Sequence, residues 1–220
     1  MKLSSLDQIL QKILSTLNFF DFTFVISGSA TLLIIYFTIT HYATIQWPES
    51  SAGTVILAII LTYICGIISF AGGKMLRLKF LRKNFESTFR EIIRCENKII
   101  EIEKYNIDPI DDSKYNKAEL SQIYDKMWIS LQHKPEGEYT VIYLNRSIMM
   151  QSICEGLFFS SILLGICSII FMINSYCTYY LAILLSSIFS ALIFSHEAER
   201  SAIIQIREVV CAYYKFILNS

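Results

Sequence analysis

The chain has 220 residues, of which 54% are hydrophobic and only 17% charged, with 19 basic against 19 acidic side chains and no formal net charge. An ordinary soluble domain carries about 25% charged residues, and here the apolar excess gathers in charge-free stretches at 22–48, 50–73 and 156–196. That pattern excludes a soluble globular protein, a disordered tail and a disulfide-rich secreted domain, and without a positive field no direct nucleic-acid binding is expected.

In chain order, residues 3–20 place Leu3, Leu6, Ile9, Leu10, Ile13, Leu14 and Leu17 at helical spacing opposite a polar face. This segment, 1–21, reads as an amphipathic N-terminal helix on the inner membrane surface or packed against other helices. Residues 22–40 and 54–73 each supply the roughly 20 apolar residues that cross a bilayer, giving a first transmembrane hairpin at 22–73. The apolar run starts only at Phe22, directly after Asp21, and has no small-x-small site behind it, so a cleaved signal peptide is not expected.

Residues 74–155 form a helical segment. Met75–Lys83 reads as an inner-interface anchor continuing a helix over 75–105, with Phe85, Phe89, Ile92, Ile93, Ile99 and Ile100 along one side. Asn106 to Asp112, with Pro109, breaks it. Ser113 is expected to cap a second helix over 114–132 with Tyr115, Leu120, Ile123, Tyr124, Met127 and Leu131 on its apolar side. After a turn at 133–137, a further helix from about 138 leads into the membrane. The stretch 156–195 divides at Ile173-Asn174-Ser175-Tyr176 into spans at 156–173 and 177–195, a second hairpin. Residues 196–220 continue as an amphipathic helix with Ile203, Ile206, Val209, Val210, Tyr213 and Ile217.

The expected fold is therefore all-α: a polytopic membrane protein with four transmembrane helices and a helical cytoplasmic extension. Of the 19 Lys and Arg residues, two precede the first span, 14 lie in 74–155 and three follow the last span. The positive-inside bias thus places both termini and the long segment on the cytoplasmic side of a bacterial inner membrane. Tyr36, Tyr42, Trp47, Tyr176, Tyr179 and Tyr180 fall where an outer aromatic belt belongs.

Catalytic and metal patterns are missing. The six cysteines form no CxxC pair, and His196-Glu197-Ala198-Glu199-Arg200 opens like a zincin helix but lacks the second His. No nucleophile elbow, Walker A or dinucleotide fingerprint occurs, and Arg90 and Arg94 have no His shortly downstream. No enzyme, cofactor or metal is expected. Two other sets remain. Small residues recur at helix-contact spacing, notably Gly66, Ser69, Gly73, Ser161, Gly165, Ser186 and Ser190. They suit close packing within the chain or the faces of a homo-oligomer lining a polar path. Lys74, Glu155, His196 and Arg200, with Glu197, fall at one depth, as a gating charge ring or as plain interface charges.

The whole layout resembles the small transmembrane effectors of bacterial anti-phage systems, such as those of retrons, cyclic-nucleotide signalling or CRISPR operons. The matching features are the short length, the charge-free spans, the basic segment 74–155 and an isoleucine bias of the kind an AT-rich gene gives. The retron-associated transmembrane protein is the nearest type. The resemblance implies an antiviral toxin that perturbs the inner membrane when triggered and causes abortive infection. It further implies the lipid bilayer as partner, a homo-oligomer, and a cytoplasmic regulatory partner encoded nearby. The alternatives are a non-conducting immunity or regulatory membrane protein, or a transporter subunit.

Overall fold

The computed structural model describes residues 21–42, 51–80, 85–103, 113, 115–133, 138–174 and 177–218. The expected N-terminal helix at 3–20, the break at 106–112, and Trp47 and Tyr176 of the aromatic belt lie outside the described residues. The regular elements are helices throughout the described residues: α1 (Asp21–Tyr42), α2 (Ala52–Phe80), α3 (Phe85–Glu103), α4 (Lys117–Gln132), α5 (Glu138–Asn174) and α6 (Thr178–Tyr213), followed by a π-helical turn at Tyr214–Leu218. Four of them, α1, α2, α5 and α6, are long and apolar enough to cross a membrane. The fold is the all-α, polytopic type read from the hydropathy.

Several boundaries differ from the sequence reading. Three of the four long helices, α2, α5 and α6, run past the edges of the apolar runs. Glycines 72 and 73 leave α2 unbroken to Phe80, and α5 and α6 extend to 37 and 36 residues. Helical backbone satisfies its own hydrogen bonds on either side of a membrane interface, so the end of an apolar run need not end the helix. The expected single helix at 75–105 is instead α2 followed by α3. Ser113 is not the cap of α4. Asn116 accepts from the backbone N–H groups of Ala118 and Glu119, and the Glu119 carboxylate accepts from the Asn116 N–H. This reciprocal box satisfies donors that a first helical turn otherwise leaves open, which is why Asn116 wins over Ser113.

The chain divides into two compact units: residues 1–80 with 152–198, and residues 81–151 with 199–220. The second unit has a water-type core. Phe89, Ile92 and Ile93 of α3 bury with Leu120, Met127 and Leu131 of α4, Leu144 of α5, and Ile206, Val209 and Val210 of α6. The apolar stripes at i, i+3, i+4 dictate this packing. Phe85 stacks on Phe89 at 5.5 Å between centroids, and Tyr124 meets both edge-on. Tyr115, expected on the core side, is exposed. Polar bonds lie around the core: Gln205 Nε2 donates to Gln151 Oε1 at 2.9 Å, and Tyr214 Oη donates to Asn97 Oδ1 at 2.9 Å.

The first unit has the opposite polarity. Among the described residues, Thr23, Ser27, Thr31, Ser69, Arg77, Glu155, Ser160, Ser161, Ser168, Ser187 and Ser195 are buried in it. Leu33, Phe37, Leu57, Leu185, Phe189 and Leu192 stand outside, each more than half exposed. In water this arrangement would leave a large apolar area wet, which soluble proteins avoid. In lipid the outer side chains have no reason to bury, and small and polar residues carry the helix contacts instead.

A candidate functional site in the polar interior of the membrane unit

The interior of the first unit is built on one stripe per helix. In α2 the buried residues are Gly66, Ser69, Gly73 and Arg77, spaced three, four and four apart. In α1 they are Thr23, Ser27, Gly28 and Thr31. The glycines bring backbones into contact. A Cβ on Gly28 would lie 1.8 Å from the Thr62 carbonyl oxygen, and one on Gly66 would lie 2.0 Å from that of Phe24. The α1–α2 crossing therefore has no room for a side chain from either partner. A Cβ on Gly156 of α5 would lie 2.3 Å from the Ser27 Cβ, and one on Gly73 would lie 1.8 Å from the Glu155 carbonyl oxygen. A Cβ on Gly165 would lie 2.9 Å from the Ser187 Oγ of α6, a side-chain contact.

Where the backbones touch, hydroxyls link them. Thr31 Oγ1 of α1 lies 2.6 Å from Ser69 Oγ of α2 and 2.7 Å from Ser160 Oγ of α5. Ser69 Oγ also faces its own Cys65 carbonyl at 2.6 Å, and Ser160 Oγ faces that of Gly156 at 3.0 Å. Each hydroxyl has one proton, so these contacts cannot all be donated at once. Two orders use Thr31 to join both neighbours: from Ser160 through Thr31 and Ser69 to the Cys65 carbonyl, and from Ser69 through Thr31 and Ser160 to the Gly156 carbonyl; when Ser69 and Ser160 each donate to their own helix, Thr31 can donate to only one of them. Both orders tie three helices together.

Next to this knot lies a buried ion pair. Arg77 of α2 and Glu155 of α5 are 4% and 1% exposed at their side chains. Arg77 donates from Nε at 3.0 Å and from Nη2 at 2.5 Å, both to Glu155 Oε1. Gly73 sets the geometry. Successive helical residues turn by about 100°, so Arg77, four on from Gly73, sits only about 40° away from it. Gly73 rests against the Glu155 backbone, and the guanidinium one turn later reaches the carboxylate. Lys74 is turned about 100° from Gly73 by the same rule. It is exposed, with its ammonium 5.6 Å from the centroid of the Phe70 ring.

Of the two readings of Lys74, Glu155, His196 and Arg200, the charge ring is not what the buried charges form, and exposed Lys74, His196 and Arg200 are placed as interface charges would be. Glu155 pairs with Arg77, a residue read from sequence only as part of a basic interface anchor. His196 is 76% exposed at its side chain, with Nδ1 3.8 Å from Glu197 Oε1. Arg200 is exposed and belongs to the second unit. Of the small residues singled out, Gly66, Ser69, Gly73 and Gly165 pack between helices of this chain, and buried Ser161 donates to the Leu157 carbonyl at 2.8 Å. Ser186 is exposed and Ser190 half-buried, and it is Ser187 that α6 turns inward. The run Ser-Gly-Ser-Ala-Thr at 27–31 marks Gly28 and Thr31 as helix-contact positions in the sequence, whereas Ser160 and Gly156 were missed.

At the far end of the unit, Phe171 packs between His41 and Tyr180 at 4.5 and 5.4 Å. An apolar groove of about 500 Å³ between α1 and α2, lined by Leu32, Ile35, Ile39, Val55 and Leu61, has no charged group in its walls. No three His, Cys, Asp or Glu side chains converge to hold a metal among the described residues. The polar interior can join helices, hold a charge pair out of water and reorient hydroxyl protons. Among the described residues it presents no nucleophile with an adjacent base.

No protein-family model, curated protein or solved structure matches this chain.

Proposed function

We propose that the protein is an inner-membrane effector of an antiviral defence system. When triggered, it perturbs membrane integrity and causes abortive infection. One observation carries this reading: a helical unit with an apolar outside and a hydroxyl-lined, charge-bearing interior shares the chain with a water-type helical unit. Ionisable side chains buried among membrane helices mark functional positions more often than structural ones. The water-type unit is where a cytoplasmic regulatory partner would act, and the membrane unit is where the response would appear. The orientation that puts both termini in the cytoplasm comes from the distribution of Lys and Arg.

The closed hydroxyl knot fits a resting state. It also favours the second reading, a regulatory or immunity membrane protein with no conductance of its own. Controlled expression of the full chain in a bacterium, with a voltage-sensitive dye followed beside growth, separates the two. Depolarisation that precedes growth arrest is the expected result. Unchanged potential at confirmed membrane insertion, with the candidate trigger supplied, would turn the assignment to the regulatory reading.

A further inference from the structure

We propose that the Arg77–Glu155 pair is a latch holding α2 against α5, and that its opening is the conformational step by which the membrane unit changes state. The pair is poorly suited to supplying stability alone. Taking two charges out of water costs several kcal/mol per ion, and an apolar pair of similar volume often serves as well. What a buried pair does offer is a sharp choice between two states. Joined, its charges satisfy each other. Half-broken, each is stranded in a medium that penalises it heavily.

The surroundings support a contact that closes or opens as a whole. Gly73 lets the α2 backbone meet the Glu155 carbonyl, so the pair can form only when the helices touch. Gly72 faces the Phe159 ring, with 2.6 Å between a Cβ placed there and the ring edge, so the ring closes over the same crossing. Both donors of Arg77 converge on one carboxylate oxygen, Oε1. Cys154, immediately before Glu155 on α5, is 5% exposed, so its labelling reads opening of α5 at the level of the pair. Cys167, further along α5 and 8% exposed, reports on the rest of the unit. Packed interfaces of this kind change between discrete arrangements. The link from opening to membrane permeabilisation rests on the effector reading; the opening itself does not.

The test treats membranes containing the full-length protein with N-ethylmaleimide and follows Cys154 and Cys167 separately by mass spectrometry. Arg77→Gln and Glu155→Gln should each speed labelling of Cys154 by about tenfold or more while leaving Cys167 slow, because the opening is local. The charge swap, Arg77→Glu with Glu155→Arg, and the apolar pair, Arg77→Met with Glu155→Leu, should both return Cys154 to slow labelling. With the dye, the single variants should depolarise cells without a trigger, and the apolar pair should stay silent even with one. Wild-type labelling of Cys154 in both single variants would overturn the latch. Equal acceleration at Cys154 and Cys167 would overturn it too, by showing that the pair holds the whole unit together. Fast, local Cys154 labelling without depolarisation in any variant would uphold the latch and defeat the effector reading.

Discussion

The two units of this chain solve the same packing problem with inverted materials. The second unit buries Phe89, Ile93, Leu131 and Val209 in an apolar core that includes no charged side chain, as water demands. The first unit buries Ser27, Thr31, Ser69 and Ser160 and leaves Phe37, Leu185 and Phe189 outside. Helices α5 and α6 contribute residues to both units, so one continuous helix follows two opposite rules along its length. The comparison teaches that the surrounding solvent decides which residues count as core. A leucine gains by burial only where its alternative is water, and a serine hydroxyl gains by burial only where its alternative is lipid and a partner is at hand.

Matched truncations break or sharpen this comparison most strongly. Phe89→Ala, in the buried core of the second unit, is expected to cost about 3–5 kcal/mol. Leu185→Ala, 60% exposed on α6, should cost less than about 0.5 kcal/mol in lipid. Thermal unfolding in lipid nanodiscs, followed by circular dichroism, measures both. A large loss at Leu185 would mean that its face is covered by something other than lipid.

A smaller effect probes the other interior. Thr31→Val keeps the shape of the side chain and removes both hydroxyl contacts to Ser69 and Ser160. The expected cost is about 0.6–1.7 kcal/mol, the range of interhelical hydrogen bonds in membranes. Ser29→Ala is the control, because the Ser29 hydroxyl donates only to the Val25 carbonyl of its own helix. Titration with a denaturing detergent should rank Thr31→Val clearly below Ser29→Ala. Equal midpoints would remove the hydroxyl knot from the account of the fold.

The last effect is close to nil at neutral pH and appears only at alkaline pH. Burial, and then the neighbouring Asp125 carboxylate, push the Tyr124 phenol up from 10.0 to about 12. The folded state holds the neutral phenol. Its contribution is complete below the ordinary value and is lost as pH rises from 10.0 to about 12. Tyr124→Phe should therefore flatten the decline in stability across that window while leaving neutral pH nearly unchanged. The phenolate absorbance of the wild type, less that of the variant, should show a tyrosine titrating late. A difference titrating at the ordinary value would contradict the burial.

Much of this protein was legible in the sequence, for reasons that can be stated residue by residue. Charge-free runs of span length identify the four membrane helices, because charged groups are costly in hydrocarbon. The break at Ile173-Asn174-Ser175-Tyr176 matches the end of α5 and the start of α6. The stripes Phe89-Ile92-Ile93 and Ile206-Val209-Val210 mark the water-type core through their period alone. The small residues Gly66, Ser69 and Gly73 could be read as contact positions, though not with which helix they make contact. Depth along a span is a one-dimensional quantity, and it put Lys74 and Glu155 at one level without naming a pair. Only the tertiary structure decided for Arg77, because partner choice depends on rotation about the helix axis and on where two backbones can touch. The glycine that admits α5 at Gly73 turns Lys74 away and brings Arg77 round to the carboxylate one helical turn later.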